Sequence, residues 1–571
     1  MSEFISEVIG HVTRASTDSE LSAIKTVEGF LVGKAVFKGV EAVGSSEWWQ
    51  RKKKEDKKNA KTAVFLDLDL LPPSAAAVAH QGTCENIESH LLKVRPGRGY
   101  AKGGKGATAR TGIDAFTGEI CELTTSFPEP RVQVLRPPDL KLFSASSETP
   151  CLTRYGLIES AIFPVAKTQS ARMQNAILKL AAKREQRGKT WFPIPSSLNE
   201  RKKPKTDLLV AYLEDEPESR APLAEMFGGA SNSFSDADFE AIAQPVLEML
   251  EGKAAANPNL KVRLLAFCPI DKGKKQISLN RSFQVRDVIR AARDWEAGAR
   301  NVPDVSIWFH DKHTKQSVLL THYCPSPLEL ASTINLVWSS KADGGFIDKY
   351  QRAISVADAY DVFVTDSPLA KQKAQSALAL LVDRMSAVLA AVASIKNSRE
   401  WIKNNKPTLS DPVRWQSVKT IALLGILLHQ LEHRRKNFMQ EPITQIGRLL
   451  ALSDSLHFQY CKFVRTSEEK RKAGKVDAPS ELIGNALFTT ALDQPVSALA
   501  RLAERIKPYK GWADTYSGED AGLIHWLNRQ MGDARQGIDL KKLPARMTDA
   551  DKAKLLLGYL ADQPKTETPK Q

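Results

Sequence analysis

Beyond about residue 366 the apolar residues of this chain change their spacing, and that change constrains the fold more than any other feature. KQKAQSALALLVDRMSAVLAAVASI, VKTIALLGILLHQLEHRRKNF and ITQIGRLLALSDSLHFQYCKFV all carry apolar residues at helical spacing, with few strand candidates between them. Helices with one apolar stripe must bury it against one another, so residues 366–562 are expected to form a helical bundle. Within it KRKAGKVDAPS (470–480) reads as a solvated loop, and QPKTETPKQ (563–571) reads as a disordered tail.

Ahead of that boundary strands and helices alternate. Residues 1–45 carry short apolar groups at helical spacing, and WWQRKKKEDKKNAK (48–61) then reads as an exposed basic connector or a DNA-touching edge. AVFLDLDLL (63–71) alternates with period two and stops at Pro72 and Pro73, as a strand does. Strand residues return in EICELTTSF (119–127), and prolines 128, 130, 137 and 138 mark a linker. RMQNAILKLAAKREQR (172–187) follows as a helix with a basic outer face, and KTDLLVAYLED (205–215) as a buried strand. KVRLLAFCPIDKGKKQISLNRSFQ (261–284) reads as a hairpin turning at Asp271-Lys272-Gly273-Lys274, and VRDVIRAARDW (285–295) as an amphipathic helix. The fold class expected is therefore α+β, with mixed α/β regions at 1–140 and 141–365 followed by the helical bundle.

Charge narrows the partners. The chain has 81 Lys and Arg against 66 Asp and Glu, a net charge of +15 that favours a polyanion. Its six cysteines form no CxxC pair, which removes the usual zinc and redox spacings and suits a reduced, cytoplasmic setting. The N-terminus, MSEFISEVIGHVTRAS, carries Glu3 and Glu7 and no long apolar stretch, so no signal peptide is expected. The most apolar run, IALLGILL (421–428), is far short of the roughly 20 residues that span a bilayer. No membrane partner is expected.

Three motifs invite chemistry. RPGRGYAKGGKGATARTG (95–112) matches the P-loop pattern from Gly99 through Lys105, but Gly106 stands where a Ser or Thr hydroxyl must ligate magnesium. A loop gripping nucleic acid through Arg98, Lys102, Lys105 and Arg110 and a plain linker remain level on composition. AVFLDLDLL resembles the first motif of haloacid-dehalogenase phosphohydrolases, with Asp67 and Asp69 in the nucleophile and acid positions. Leu70-Leu71-Pro72-Pro73 replaces the small polar turn of that motif, and the other reading of the two carboxylates is a strand's solvent face. HQLEH (429–433) sets His429 and His433 one helical turn apart, a zinc-capable geometry, yet Gln430 occupies the place of the general-base Glu. With Arg434, Arg435 and Lys436 following, a basic helix end is the better reading. No GxSxG elbow or legible triad is present, so no catalytic residue, cofactor or metal is assigned.

Two regions together carry a family likeness. QIGRLLALSDSLHFQY (445–460) followed by PSELIGNALFTTALDQPVSALARLAERIKPYKGW (479–512) resembles the large subunit of type I-C CRISPR surveillance (Cascade) complexes, the Csd family, in the order of a GRL-containing helix, a GN turn, a spaced Pro and a further helix. KTDLLVAYLED and VRLLAFCPIDKGKKQISLNRSF resemble that family's DLL-type strand and its strand-turn-strand feature, so the likeness covers about half the chain.

The resemblance implies a non-catalytic subunit that recognises a protospacer-adjacent motif in double-stranded target DNA, aids R-loop formation, holds the displaced strand and recruits a helicase-nuclease. Its implied partners are the CRISPR RNA with its backbone-forming and handle-binding subunits, and a small subunit. On this reading residues 1–140 form the DNA-recognition region. The expected DNA contacts are Arg98, Lys102, Lys105 and Arg110, then Lys52, Lys53 and Lys54, and the hairpin with its flank at Lys274, Lys275, Arg281 and Arg286. Arg434, Arg435 and Arg448 on the bundle would follow the displaced strand, although Arg448 also reads as a pair within the bundle. Met439 is a candidate internal start, from which residues 439–571 would be made separately as the small subunit. The rivals from other classes are a phosphohydrolase or nuclease using Asp67 and Asp69, and a generic basic RNA-binding scaffold.

Overall fold

The computed structural model describes residues 110–124, 127–132, 140, 163–182, 189–195, 206–216, 222–228, 239–269, 275–310, 317–320, 322–341, 344–350, 353–364, 366–389 and 412–562. The strand expected at 63–71, most of the run at 95–112 and the tail at 563–571 lie outside these residues. The chain divides into two compact units, one comprising residues to 132 and 139–179, the other 133–138 and everything from 180.

In the first unit strands β1 (Arg110–Ile113) and β2 (Ile120–Leu123) form an antiparallel hairpin. The end of the glycine-lysine run, Arg110 to Gly112, is thus strand, and the strand expected over 119–127 is confined to Ile120–Leu123. Buried Asp114 accepts hydrogen bonds from the Thr117 amide (3.1 Å) and hydroxyl (2.8 Å), and from the Ala166 amide (2.9 Å) just before helix α1 (Lys167–Leu180). One carboxylate therefore closes the turn and ties the hairpin to the helix; the Ala166 bond is the main reason its pKa is lowered. Pro128 and Pro130, expected in a linker, are buried, and the Pro130 carbonyl accepts from the Leu140 amide at 3.0 Å.

The second unit begins where α1 ends. The helix expected over 172–187 runs instead over Lys167–Leu180. Carbonyls left open at its end are satisfied by side chains: the Thr190 hydroxyl donates to that of Leu180 (2.8 Å) and the Trp191 indole N–H to that of Ala182 (2.7 Å). Strands β3 (Trp191–Pro195), β4 (Thr206–Leu213), β5 (Lys261–Pro269) and β6 (Lys275–Gln284) form one antiparallel sheet in that order. Leu208, Leu209, Val210 and Ala211 of β4 are all buried, as an unbroken apolar run in a central strand requires. Helices α2 (Leu223–Gly228) and α3 (Phe239–Ala256) fill the β4–β5 connection, and β6 runs directly into α4 (Val285–Ala299). Val285, Val288, Ile289, Ala292 and Trp295 make the buried stripe of α4, while Arg286, Arg290 and Arg293 face outward.

Two more antiparallel pairs follow, β7 (Ile307–His310) with β8 (Ser317–Leu320) and, after helix α5 (Pro327–Ile334), β9 (Leu336–Lys341) with β10 (Gly344–Tyr350). Helices α6 (Val356–Val364) and α7 (Pro368–Val382) come next. Phe363 meets Phe227, Phe239 and Trp295 edge-on at 5.9, 6.0 and 5.3 Å, so α2, α3, α4 and α6 share one aromatic centre. The compositional boundary at 365 falls between α6 and α7, which Lys373 joins by pairing with Asp358 (2.7 Å) and Asp361 (2.5 Å).

The remaining described chain is helical: α8 (Pro412–Gln430), α9 (Arg435–Phe438), α10 (Pro442–Tyr460), α11 (Glu468–Lys472), α12 (Ile483–Asp493), α13 (Pro495–Arg505), α14 (Lys507–Thr515), α15 (Ala521–Gln536) and α16 (Asp549–Leu560). The protein is α+β, an antiparallel sheet region followed by helices. Asn301, just past α4, joins it to this helical region by donating to the Gly425 and His433 carbonyls (3.2 and 2.8 Å) and accepting from the Arg435 amide (2.6 Å). Helix α10 is central, packed by α12, α14, α15 and α16. Its crossing with α16 needs two glycines, since a Cβ on Gly447 would fall 2.1 Å from the Leu555 carbonyl oxygen and one on Gly558 2.2 Å from that of Thr444.

Two local expectations need correcting. Gly484 and Asn485 do not make a turn; they lie in the first turn of α12, and Gly484 is required because a Cβ there would sit 2.0 Å from the Leu450 carbonyl oxygen. The loop expected at 470–480 opens inside the short helix α11, which Ser467 caps by accepting from the Lys470 amide at 3.4 Å. Among the described residues no helix is long and apolar enough to cross a membrane.

Candidate nucleic-acid interface

The cations expected to touch DNA are distributed unevenly over the structure. Lys52, Lys53, Lys54, Arg98, Lys102, Lys105 and Lys274 lie outside the described residues, as do Asp67, Asp69 and Gly106. Arg110 opens β1 and Lys275 opens β6. Arg281 reaches across to Asp361 at 3.4 Å, and Arg286 is exposed on the first turn of α4.

On the bundle, Arg434 is exposed and donates to the His429 carbonyl at 3.2 Å, while Arg435 reaches Asp304 at 3.4 Å. Arg448 is half-buried and donates to the Gln530 side chain at 2.5 Å; burial lowers its pKa. Met439 ends α9, and its carbonyl accepts from the Gln445 amide group at 2.6 Å.

The HQLEH motif does not present two imidazoles on one helical face. Helix α8 stops at Gln430, and Glu432 turns the chain with φ 68° before His433. Gln430 donates to the Val362 carbonyl at 2.8 Å and exposed Glu432 pairs with Lys371 at 2.6 Å, so both polar residues between the histidines are engaged within the fold. Burial lowers the pKa of both His429 and His433. Among the described residues no group of three or more His, Cys, Asp or Glu side chains is arranged to hold a metal.

A different cluster brings together the residue types that bind a single strand. Tyr509, Trp512 and Tyr516 stand at i, i+3 and i+7 in KPYKGWADTY, which places them on one face of α14 and its end. Opposite them, α10 passes at Cys461–Arg465 into a π-helical turn, closed by the Thr466 amide and hydroxyl, both of which donate to the Cys461 carbonyl (3.0 and 2.7 Å). A π turn inserts one residue into the helix and resets its phase. Phe463 thereby comes against Tyr516 at 5.5 Å while Tyr460 meets Tyr509 and Trp512 at 4.9 and 5.3 Å. With His457 on Tyr509 (4.5 Å) and Trp512 on Tyr516 (4.8 Å), six rings form a continuous series.

Cations border these rings. Arg465 lies over Tyr460 at 5.8 Å, and Lys462 and Arg471 lie over Phe463 at 4.4 and 5.6 Å. Lys462 also pairs with Asp520 at 2.9 Å. Along 460–512 there are ten Lys and Arg against six Asp and Glu, so the segment is locally positive. Lys475, Arg501, Arg505 and Lys507 are exposed with no ion-pair partner among the described residues. Aromatic faces accept stacked bases and free cations neutralise phosphates, and the two together hold single strands with little sequence preference.

Beneath this face the bundle is fixed by a buried carboxylate. Asp454, one turn before His457 on α10, accepts from the Gly484 amide at 2.5 Å and from the Tyr559 hydroxyl. It therefore caps the start of α12 and joins three helices. Burial pushes its pKa up to about 7 against the hydrogen bonds from Tyr559 and Gly484, which lower it.

The ring-and-cation face was not among the expected sites. Its local signals are the interleaved YCKFVR and KPYKGW, but their rings adjoin only because α14 folds back on α10. No protein-family model and no curated protein matches the chain.

Proposed function

We propose that this chain is a non-catalytic nucleic-acid-binding protein that holds a single strand on the face formed by Tyr460, Phe463, Tyr509, Trp512 and Tyr516 with Arg465, Arg471 and Lys507. The observation that carries this reading is the contiguous ring series bordered by Arg465 and Arg471, which have no acidic partner among the described residues. The net charge of +15 supports it, because long-range attraction of a polyanion precedes any specific contact.

Within that class, the order of motifs in the central hairpin and the bundle supports a more particular reading: the large subunit of a type I, I-C-like CRISPR surveillance complex. In that role the chain recognises a protospacer-adjacent motif in duplex DNA, the bundle face holds the displaced strand, and the partners are the CRISPR RNA with its backbone-forming and handle-binding subunits, a small subunit and a helicase-nuclease. Guide pairing reads the long sequence in such a division of labour, so the protein itself needs backbone and stacking contacts rather than a catalytic centre.

Two measurements test the two levels separately. Trp512→Ala should weaken binding of a labelled single-stranded oligonucleotide by roughly 1–3 kcal/mol, the usual contribution of one stacking ring. Equal anisotropy titrations for wild type and variant would remove the face from the binding surface. Affinity purification of the tagged chain from its native host, with sequencing of the RNA that accompanies it, should recover repeat-derived guide RNA. Its absence, with single-strand binding retained, would leave a nucleic-acid-binding protein outside any guide complex.

A further inference from the structure

We infer that Tyr509 is the lid of a recess for one unstacked base of single-stranded DNA, with His457 as the group that hydrogen-bonds the base edge. The inference rests on the reading that this face binds a single strand.

His457 is only 4% exposed, and neither ring nitrogen has a hydrogen-bond partner among the described residues. Buried polar groups in folded proteins are almost always bonded, so an imidazole with both nitrogens idle marks a position awaiting a partner. Burial, reinforced by the nearby Arg465, lowers its pKa and keeps the ring neutral. A neutral imidazole offers one donor and one acceptor, a combination suited to the edge of a nucleobase. Asp454 below it is already committed to Gly484, Asn485 and Tyr559.

What covers His457 is the ring of Tyr509, 4.5 Å away and tilted by 47°. Tyr509 is half-buried on α14, a nine-residue helix that starts at Ile506 without a side-chain cap. Its hydroxyl bonds to no described residue, so packing alone, the ring contacts with His457 and Tyr460 together with apolar contact to the core, holds it in place. A change of χ1 at Tyr509 therefore breaks no hydrogen bond with a described residue, and a base that takes the place of its ring recovers the stacking. The entering base would take the place of the Tyr509 ring beside Tyr460 and Trp512, which already meet each other edge to face at 5.3 Å. Arg465 over Tyr460, with Lys507 and Lys510 on α14, supplies positive charge for the flanking phosphates. An aromatic side chain of a partner protein would also fill a slot between rings, but it would bring no phosphates to these cations, and this favours a nucleotide.

The test uses the full chain, a dT20 strand, the same-length strand of abasic sites, and the corresponding RNA. Wild type should bind dT20 at least tenfold more tightly than the abasic strand, as one stacked and hydrogen-bonded base would contribute. His457→Phe keeps an aromatic ring but removes both nitrogens, and should lose about tenfold in dT20 affinity with an unchanged salt slope. If wild type binds dT20 and folded His457→Phe binds it equally well, the recess is overturned while the single-strand reading stands. If wild type binds neither dT20 nor the RNA, the underlying reading fails. RNA bound with the same His457 dependence, and DNA not bound, would overturn the assignment to DNA. Photo-crosslinking of a bromodeoxyuridine strand to wild type needs no variant to fold: attachment to peptides spanning 457–465 or 507–512 supports the recess, and attachment only elsewhere overturns it.

Discussion

Asp454 is a carboxyl enclosed by three helices, and its pKa of about 7 against an ordinary 3.8 has a definite sign for stability. Between those values the folded chain retains a proton that the unfolded chain has released, so stability falls as pH rises through the interval. The contribution is fully present below about pH 4, and its loss by pH 7 is on the order of 4 kcal/mol. Asp454→Asn keeps an acceptor for the Gly484 amide but cannot ionise. The urea midpoint of wild type should therefore drop relative to that of the variant between pH 4 and 7.5; parallel curves would mean that the carboxyl titrates normally. The lowered pKa values of His429, His433 and His457 act in the opposite direction, destabilising the fold as acid charges them, and cancel in the comparison. Helical spacing already sets Asp454 with Leu450, His457 and Cys461 on one apolar stripe, which is a legible sign of a buried acid. Its partner Tyr559 lies 105 residues further on and carries no local signal.

At the scale of elements, those whose pattern is set locally are the legible ones. The β5–β6 hairpin, the strand at β4 and the amphipathic α4 follow directly from periods of two and 3.6 residues in their own sequences. Boundaries decided by distant groups are not. The end of α1 is satisfied by Thr190 and Trp191 from beyond the helix, and GN reads as a turn although Gly484 is there to let α12 approach α10. Gly484→Ala tests that reason: a methyl group 2.0 Å from the Leu450 carbonyl oxygen must push the helices apart, at a cost of roughly 1–3 kcal/mol or more. A chemical-denaturation midpoint equal to that of wild type would show that glycine is dispensable at this crossing. The π turn at Cys461–Arg465 belongs to the same group, since its spacing resembles any α-helix in sequence and its consequence, the placing of Phe463 on Tyr516, depends on α14.

For the whole molecule, charge and stacking combine into a salt dependence. Replacing Lys475, Arg501, Arg505 and Lys507 together by Ala should leave the fold intact, because all four are exposed and without acidic partners among the described residues. Each cation that neutralises a phosphate adds about 0.7 to the slope of log K against log salt for a single strand, so the quadruple variant should lose up to roughly 3. An unchanged slope would place the strand elsewhere on the protein.

Hydrophobic period and charge are local properties that survive in one dimension, so the α+β class, the helical character of the C-terminal third and the excess of positive charge are all legible in the order of residues. It also singled out cations such as Arg435 and Arg448, which the fold engages with Asp304 and Gln530. Which rings and cations stand together is set by packing in three dimensions. Stacking and phosphate neutralisation act over a few ångströms in space, and the residues that meet there, from His457 to Tyr516, are brought to that distance by helices packing around α10 rather than by their order in the chain.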